Sequence, residues 1–259
     1  MYEKWKGVHT RCAFNMIQEL IPLTRPRTLA AALGPTILGA AFSYYAFGAA
    51  QGTGLAILHT VLIFLAVVTA QIVANLWNEY KDFKSGLDAG QKVGNAGSIT
   101  RGVITPELII TMIKVLMFVP IIIGLYLSAT ITWYYIPVGF LCILISFLYS
   151  GGPKPISRTP FGEISSGIAM GFAIVLITGY AWTRELSLAL LIPAISSTLL
   201  VGSIMLTNNI RDIRNDESHG RHTLPIVLGR ERALSLMSIS YIFNFIWIIA
   251  WIIIGHMTW

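Results

Sequence analysis

LAILHTVLIFLAVVTAQIVANLW, from Leu55 to Trp77, carries no charged residue and runs directly into Asn78-Glu79-Tyr80-Lys81-Asp82. It matches the roughly 20 apolar residues that an α-helix needs to cross a hydrocarbon core of ~30 Å. The run is continuous rather than alternating. Inside lipid only helices or a closed barrel satisfy every backbone polar group, so this stretch reads as a spanning helix. Six further segments have the same character: Leu29–Phe47, Leu108–Ser128, Tyr134–Tyr149, Ile164–Trp182, Leu186–Thr207 and Ala233–Gly255. Pro35, Pro120, Pro137 and Pro193 fall inside them, which membrane helices tolerate. The expected fold is all-α, a polytopic transmembrane bundle of about seven helices. A charged N-terminal segment, residues 1–28, precedes a transmembrane domain, residues 29–259.

Composition agrees. Of the 259 residues, 55% are hydrophobic and 12% charged, with mean hydropathy +0.70. A soluble domain carries about 25% charged residues, so these cannot cover a soluble surface. The net charge of +6 has a specific distribution. The long polar connections at 78–107, 150–163 and 208–232 alternate with short links, so they share one side of the membrane with the N-terminus. That side holds 17 of the 18 Lys and Arg residues, Arg184 being the exception. The positive-inside rule accounts for the basicity without nucleic acid and makes this side cytoplasmic, in a multi-pass protein of the cell's inner membrane. Cys12 and Cys142 lie far apart and indicate neither a disulfide framework nor a metal site.

Eleven of the twelve acidic residues lie on that same side, which a rule about cations does not predict. Two clusters stand out. If the second helix continues past Trp77, then Asn75, Asn78 or Glu79, and Asp82 share one face. If the sixth continues past Thr207, Asn208, Asp212 and Asp216 do the same at i, i+4, i+8. Each cluster follows the second helix of a four-helix set, and both begin inside apolar segments, where polar residues are expensive and functional. Crowded carboxylates need a cation between them. Mg²⁺ favours one or two carboxylates together with substrate phosphates, so two facing clusters are suited to holding Mg²⁺ on a diphosphate, with nearby Arg and Lys neutralising the remaining charge.

At these residues the sequence resembles the UbiA superfamily of intramembrane prenyltransferases, whose two Asp-rich motifs follow the second and sixth helices. Here they read Asn78-Glu79-Tyr80-Lys81-Asp82 and Asp212-Ile-Arg-Asn-Asp216, with Glu79 where the family usually has Asp. The likeness is closer to the 1,4-dihydroxy-2-naphthoate prenyltransferases of menaquinone synthesis. It rests on Arg25-Pro-Arg27, on Asp82 with Gly86 and Asp88, on Tyr149-Ser-Gly-Gly-Pro153 with Pro160-Phe-Gly162-Glu163, and on Asn208 through Asp216 into Gly220-Arg-His-Thr-Leu224. It runs from about residue 22 to residue 232.

The resemblance implies Mg²⁺-dependent transfer of a polyprenyl group from its diphosphate to an aromatic ring, with loss of the ring carboxylate as CO₂ and formation of demethylmenaquinol. Asn78, Glu79, Asp82, Asp88, Asp212 and Asp216 would ligate the metal. Asn75, Asn78, Lys92, Lys154, Asn208, Arg211 and Arg221 would bind substrate. Asp82, Asp212 and Tyr149 would act in catalysis, although Tyr149 also suits an interfacial belt position. Arg25 and Arg27 suit either the acceptor carboxylate or positive-inside flanking. The family has nine helices, so a C-terminally truncated chain is expected. Other acceptors (4-hydroxybenzoate, homogentisate, a haem precursor) stay open, as do a transporter and a non-catalytic membrane protein. A transporter would need ionisable or broken-helix sites near the midplane, where this chain has almost no charge.

Overall fold

The computed structural model describes residues 20–86, 98–100, 102 and 104–254. Its described residues form helices and no strands. In chain order the helices are α1 (Ala30–Phe47), α2 (Thr53–Ser85), α3 (Pro106–Thr130), α4 (Tyr135–Ser150), α5 (Gly162–Thr183), α6 (Leu191–Ser218), α7 (Leu224–Leu228) and α8 (Arg230–Ile253). α1, α2, α3, α5, α6 with its preceding turn, and α8 are long and apolar enough to cross a membrane, while α4 is a shorter apolar helix. Six of the seven expected spans are therefore present at membrane-crossing length, and the fourth is present as the shorter helix α4. The chain is a multi-pass membrane protein.

Two helices outrun their apolar segments. α2 continues past Trp77 to Ser85, where Gly86 at φ 75° and ψ 8° terminates it in the left-handed conformation. α6 continues past Thr207 to Ser218. Both acid clusters therefore sit on helix, in the turns beyond the apolar run. α3 begins where Thr105 accepts a hydrogen bond from the Leu108 N–H at 3.3 Å, with Pro106 in the first turn.

Small residues set the packing, as expected where lipid supplies no hydrophobic drive between helices. α5 contains a π-helical stretch, Gly167–Phe172, laid closely on α6. A Cβ on Gly171 would stand 2.7 Å from the Ser197 carbonyl oxygen and the Thr198 backbone. α1 packs on α5 with Gly39 against the Val175 carbonyl. α2 lies on α3, and α8 on α6. The outward faces of α3 and α8 carry exposed Phe118, Ile122, Ile242 and Phe245, as a lipid-facing surface requires.

Away from the acid clusters, polar side chains tie the helices to one another. Gln51 donates to the Ala181 carbonyl at 2.8 Å and to Nδ1 of buried His59 at 2.9 Å, and Arg184 bonds Gln51. Trp182 Nε1 donates to Thr60 at 2.7 Å, Tyr135 to the Ile177 carbonyl at 2.8 Å, and Trp247 to the Ile192 carbonyl at 3.1 Å.

A Gly→Ala exchange inside a helix ordinarily stabilises by about 0.4–1 kcal/mol. The backbone contacts at Gly171 reverse that sign: Gly171→Ala lowers the thermal midpoint of the detergent-solubilised protein, whereas Gly124→Ala, with open space around it, leaves it unchanged or raises it.

Candidate active site

α2 and α6 both pack on α1 and make few contacts with each other, which leaves a cleft between their polar ends. The turn after α6 reaches across it. Gly220, at φ 68°, reverses the chain so that Arg221 returns toward α6 and donates its backbone N–H to the Asp216 carbonyl at 3.0 Å. Its guanidinium then lies 3.1 Å from Asp82 Oδ1 on α2 and 3.2 Å from Asp216 Oδ1 on α6. Asp216 is only 3% exposed, and the Asp212 and Asp82 carboxylates are close enough to repel it. The two acid clusters, remote in sequence, thus meet across one cleft.

The second cluster is only partly engaged. Arg211 pairs bidentately with Asp212 at 2.7 and 2.8 Å, but its side chain is 70% exposed, so the pair adds little stability. Lys154 is exposed on the α4–α5 connection, and Asn208 is half-buried. Asp88 and Lys92 lie outside the described residues. Among the described residues no three acidic, His or Cys side chains close on a single point. Arg221 instead stands between the carboxylates, supplying the positive charge that crowded acids require.

The first cluster divides its labour. Asn78 accepts from Arg25 at 3.1 Å and donates to Ser150 Oγ, at the end of α4, at 3.0 Å. Asn75 donates to the Thr24 carbonyl at 2.9 Å, and Gln71, one turn earlier, to the Thr28 carbonyl at 2.7 Å. One face of α2 thereby fastens the segment that precedes α1. Within that segment Arg25 adopts φ 50° and ψ 64°, a left-handed conformation uncommon outside glycine that carries its guanidinium to Asn78. Glu79 is 2% exposed and accepts the Ser98 N–H at 2.9 Å, holding the α2–α3 connection beside Ile99 and Ile104 of the core.

Tyr149 lies on the same polar end of the bundle. Its hydroxyl is beside Ser166 and Gly162 and within electrostatic reach of Glu163, Arg221 and Arg25. Asn209 donates to Glu163 Oε1 at 2.8 Å. Neither Asn209 nor Glu163 was among the residues expected from the sequence. The signal for Asn209 was its spacing of i, i+3, i+7 with Asp212 and Asp216, a better one-face register than that of Asn208. The signal for Glu163 was an isolated acid at the start of an apolar segment.

All these contacts come from oxygens, amides and cations gathered at one end of an apolar bundle, an arrangement suited to an anionic head group with an apolar tail. The UbiA prenyltransferase family model matches residues 32–259, and the chain belongs to that family. It is a membrane-embedded prenyltransferase. The 1,4-dihydroxy-2-naphthoate octaprenyltransferase of Bacillus subtilis is 37% identical over 245 residues, covering 93% of this chain and 76% of that protein. Its Escherichia coli namesake is 30% identical over 234 residues, covering 86% and 73%. Among solved structures, a UbiA homolog from Archaeoglobus fulgidus bound to GPP and Mg²⁺ superposes with TM-score 0.68 at 18% identity, over 88% of this chain and 76% of that chain. An apo UbiA homolog from Aeropyrum pernix gives 0.67 at 19%, over 90% and 81%. At such identities the structural likeness defines the fold.

Removing one partner of a buried ion pair destabilises by about 3–5 kcal/mol because it strands the other charge. Arg221→Ala therefore lowers the unfolding midpoint in detergent, and adding Asp216→Asn to the same chain recovers part of the loss.

Proposed function

We propose that this chain transfers a polyprenyl group from its diphosphate to 1,4-dihydroxy-2-naphthoate with loss of CO₂, giving demethylmenaquinol, in a Mg²⁺-dependent reaction at the cytoplasmic face of the cell membrane. The observation that carries the proposal is the meeting of Asp82 and Asp216 on Arg221 at the polar end of the cleft. Relatives from several bacteria that bear the name 1,4-dihydroxy-2-naphthoate octaprenyltransferase support the acceptor.

The donor set fits a hard divalent cation. Asp82, Asp212 and Asp216 offer carboxylate oxygens, and Asp216 is buried within reach of two like charges. These three would hold Mg²⁺, with Asn78 and Asp88 assisting, while Glu79 is turned to the Ser98 N–H. When bound, the metal supplies positive charge against the diphosphate as it departs.

The remaining roles belong to side chains of the chain. Arg221, which pairs with Asp82 and Asp216, would meet the phosphate oxygens of the substrate. Arg211, Lys154 and Lys92 are the cations available to complete the anion clamp, since each is on a polar connection or helix end. Asn75, Asn78 and Asn208 would assist in binding the substrate, with Asn78 also keeping Arg25 in place. Tyr149, near Ser166 and within electrostatic reach of Arg221, would present an electron-rich ring to the allylic cation. Removal of metal or of an acid should abolish transfer, because the reaction depends above all on stabilising the charge that develops on the leaving group.

The test is a membrane assay with radiolabelled polyprenyl diphosphate, 1,4-dihydroxy-2-naphthoate and Mg²⁺. A prenylated naphthoquinol is expected, falling at least about 100-fold in Asp82→Ala and Asp212→Ala and vanishing with EDTA. Mg²⁺ should also raise the thermal midpoint of the wild-type protein but not of Asp82→Ala or Asp216→Ala. Absence of product with this acceptor, alongside product with 4-hydroxybenzoate, would reject the acceptor assignment.

A further inference from the structure

Glu163 is a buried carboxylate that diphosphate binding leaves unused. It opens α5, is 6% exposed, and is aimed by Asn209, whose amide donates to Oε1 at 2.8 Å. Its other oxygen, Oε2, is buried with no hydrogen-bond partner among the described residues. Among those residues no cation neutralises the group either. An unsatisfied buried carboxylate oxygen carries a substantial free-energy penalty, so a position that retains one calls for a ligand to complete it.

The surroundings restrict that ligand. Glu163 lies within electrostatic reach of Tyr149, which is itself near Arg221 and Arg25, so it stands at the same polar end of the bundle. A carboxylate without a countercharge repels a diphosphate. It suits a neutral hydrogen-bond donor. If the chain prenylates the naphthoate as proposed above, its second substrate is a hydroxylated aromatic ring. Resting on that function, we propose that Glu163 Oε2 accepts the hydrogen bond of a ring hydroxyl of the aromatic acceptor and takes its proton as the ring is alkylated.

The step balances. The allylic C–O bond breaks and its electron pair leaves with the diphosphate. The ring carbon that bears the carboxylate supplies the pair for the new C–C bond. The hydroxyl proton passes to Oε2, and the O–H pair becomes the carbonyl of the alkylated ring. When the carboxyl substituent leaves as CO₂, its bonding pair restores the aromatic ring, and the carbonyl oxygen recovers the proton from Glu163. The residue ends as it began. Asn209 is a positioning residue in this scheme, since it holds the far oxygen and leaves Oε2 free.

The experiment compares wild type, Glu163→Gln, Glu163→Asp and Asn209→Ala in membranes. Three readouts are used: kcat and KM for 1,4-dihydroxy-2-naphthoate, binding of radiolabelled polyprenyl diphosphate, and the rate ratio between the free acceptor and its hydroxyl methyl ether. Glu163→Gln keeps an oxygen for Asn209 and should fold. It is expected to lose at least about 100-fold in kcat, to bind the prenyl diphosphate as wild type does, and to lose the preference for free hydroxyl over ether. Glu163→Asp should recover part of the rate, and Asn209→Ala should show a smaller loss of the same kind. Unchanged kcat and acceptor KM in Glu163→Gln overturns the proposal, as does an equal loss of diphosphate binding and transfer. If Glu163→Gln fails to fold, the same criteria applied to Asn209→Ala decide. If wild type does not use the naphthoate, the acceptor assignment falls instead, and the same enzymes compared on 4-hydroxybenzoate decide the role of Glu163.

Discussion

The polar end of this bundle depends on one guanidinium. α2 and α6 bring carboxylates to opposite walls of a cleft without packing extensively on each other, and in a low-dielectric setting those charges would drive the walls apart. Arg221 sits at 3.1 and 3.2 Å from one oxygen of each wall. The Gly220 turn and the backbone bond to Asp216 hold it there. A buried ion pair is a weak source of net stability. Its value here is geometric, because it holds Asp82 and Asp216, one acid from each wall, on a single side chain at the polar end of the bundle.

The site rests on a second layer of main-chain anchors. Gln71, Asn75 and Asn78 occupy successive turns of α2 and hold the Thr24–Thr28 segment by its carbonyls and by Arg25. Glu79 points to a different neighbour and fixes the start of the α2–α3 connection through Ser98. Asn209 does the equivalent for Glu163 on the opposite wall. Residues of one short motif thus face different directions. Some line the cleft while their sequence neighbours secure the walls that form it.

That division explains what could and could not be read from the residues. The spans were legible because apolar length is a one-dimensional property, and the polar ends of α2 and α6 because amides and acids recurred at helical spacing. The reach of both helices beyond their apolar runs followed from the same spacing. The partners of Asn75 and Glu79 were not legible, because a backbone carbonyl or N–H accepts or donates whatever its residue type, so Thr24 and Ser98 leave no mark as partners. Arg221 was assigned to the substrate from its charge. Its role as the bridge between clusters depends on a left-handed glycine turn and on the approach of two helices remote in sequence. Glu163 escaped notice as a site residue for a related reason, since a single acid at a helix start is unremarkable until the amide from another helix is seen on it.

The ties that hold the apolar bundle have a consequence for sequence drift. Gln51, Tyr135, Trp77 and Trp247 all donate across helices to main-chain carbonyls, those of Ala181, Ile177, Phe147 and Ile192. Each tie constrains the donor alone, and the accepting position is free to change identity so long as the helix stays where it is. Architecture secured this way survives extensive replacement of side chains on the receiving helices. That is in keeping with a backbone that superposes on archaeal proteins with TM-scores of 0.67–0.68 while sharing 18–19% of their residues. It also means that substitutions at paired positions across these ties have no reason to track one another, so co-variation would under-report the contacts on which the bundle relies.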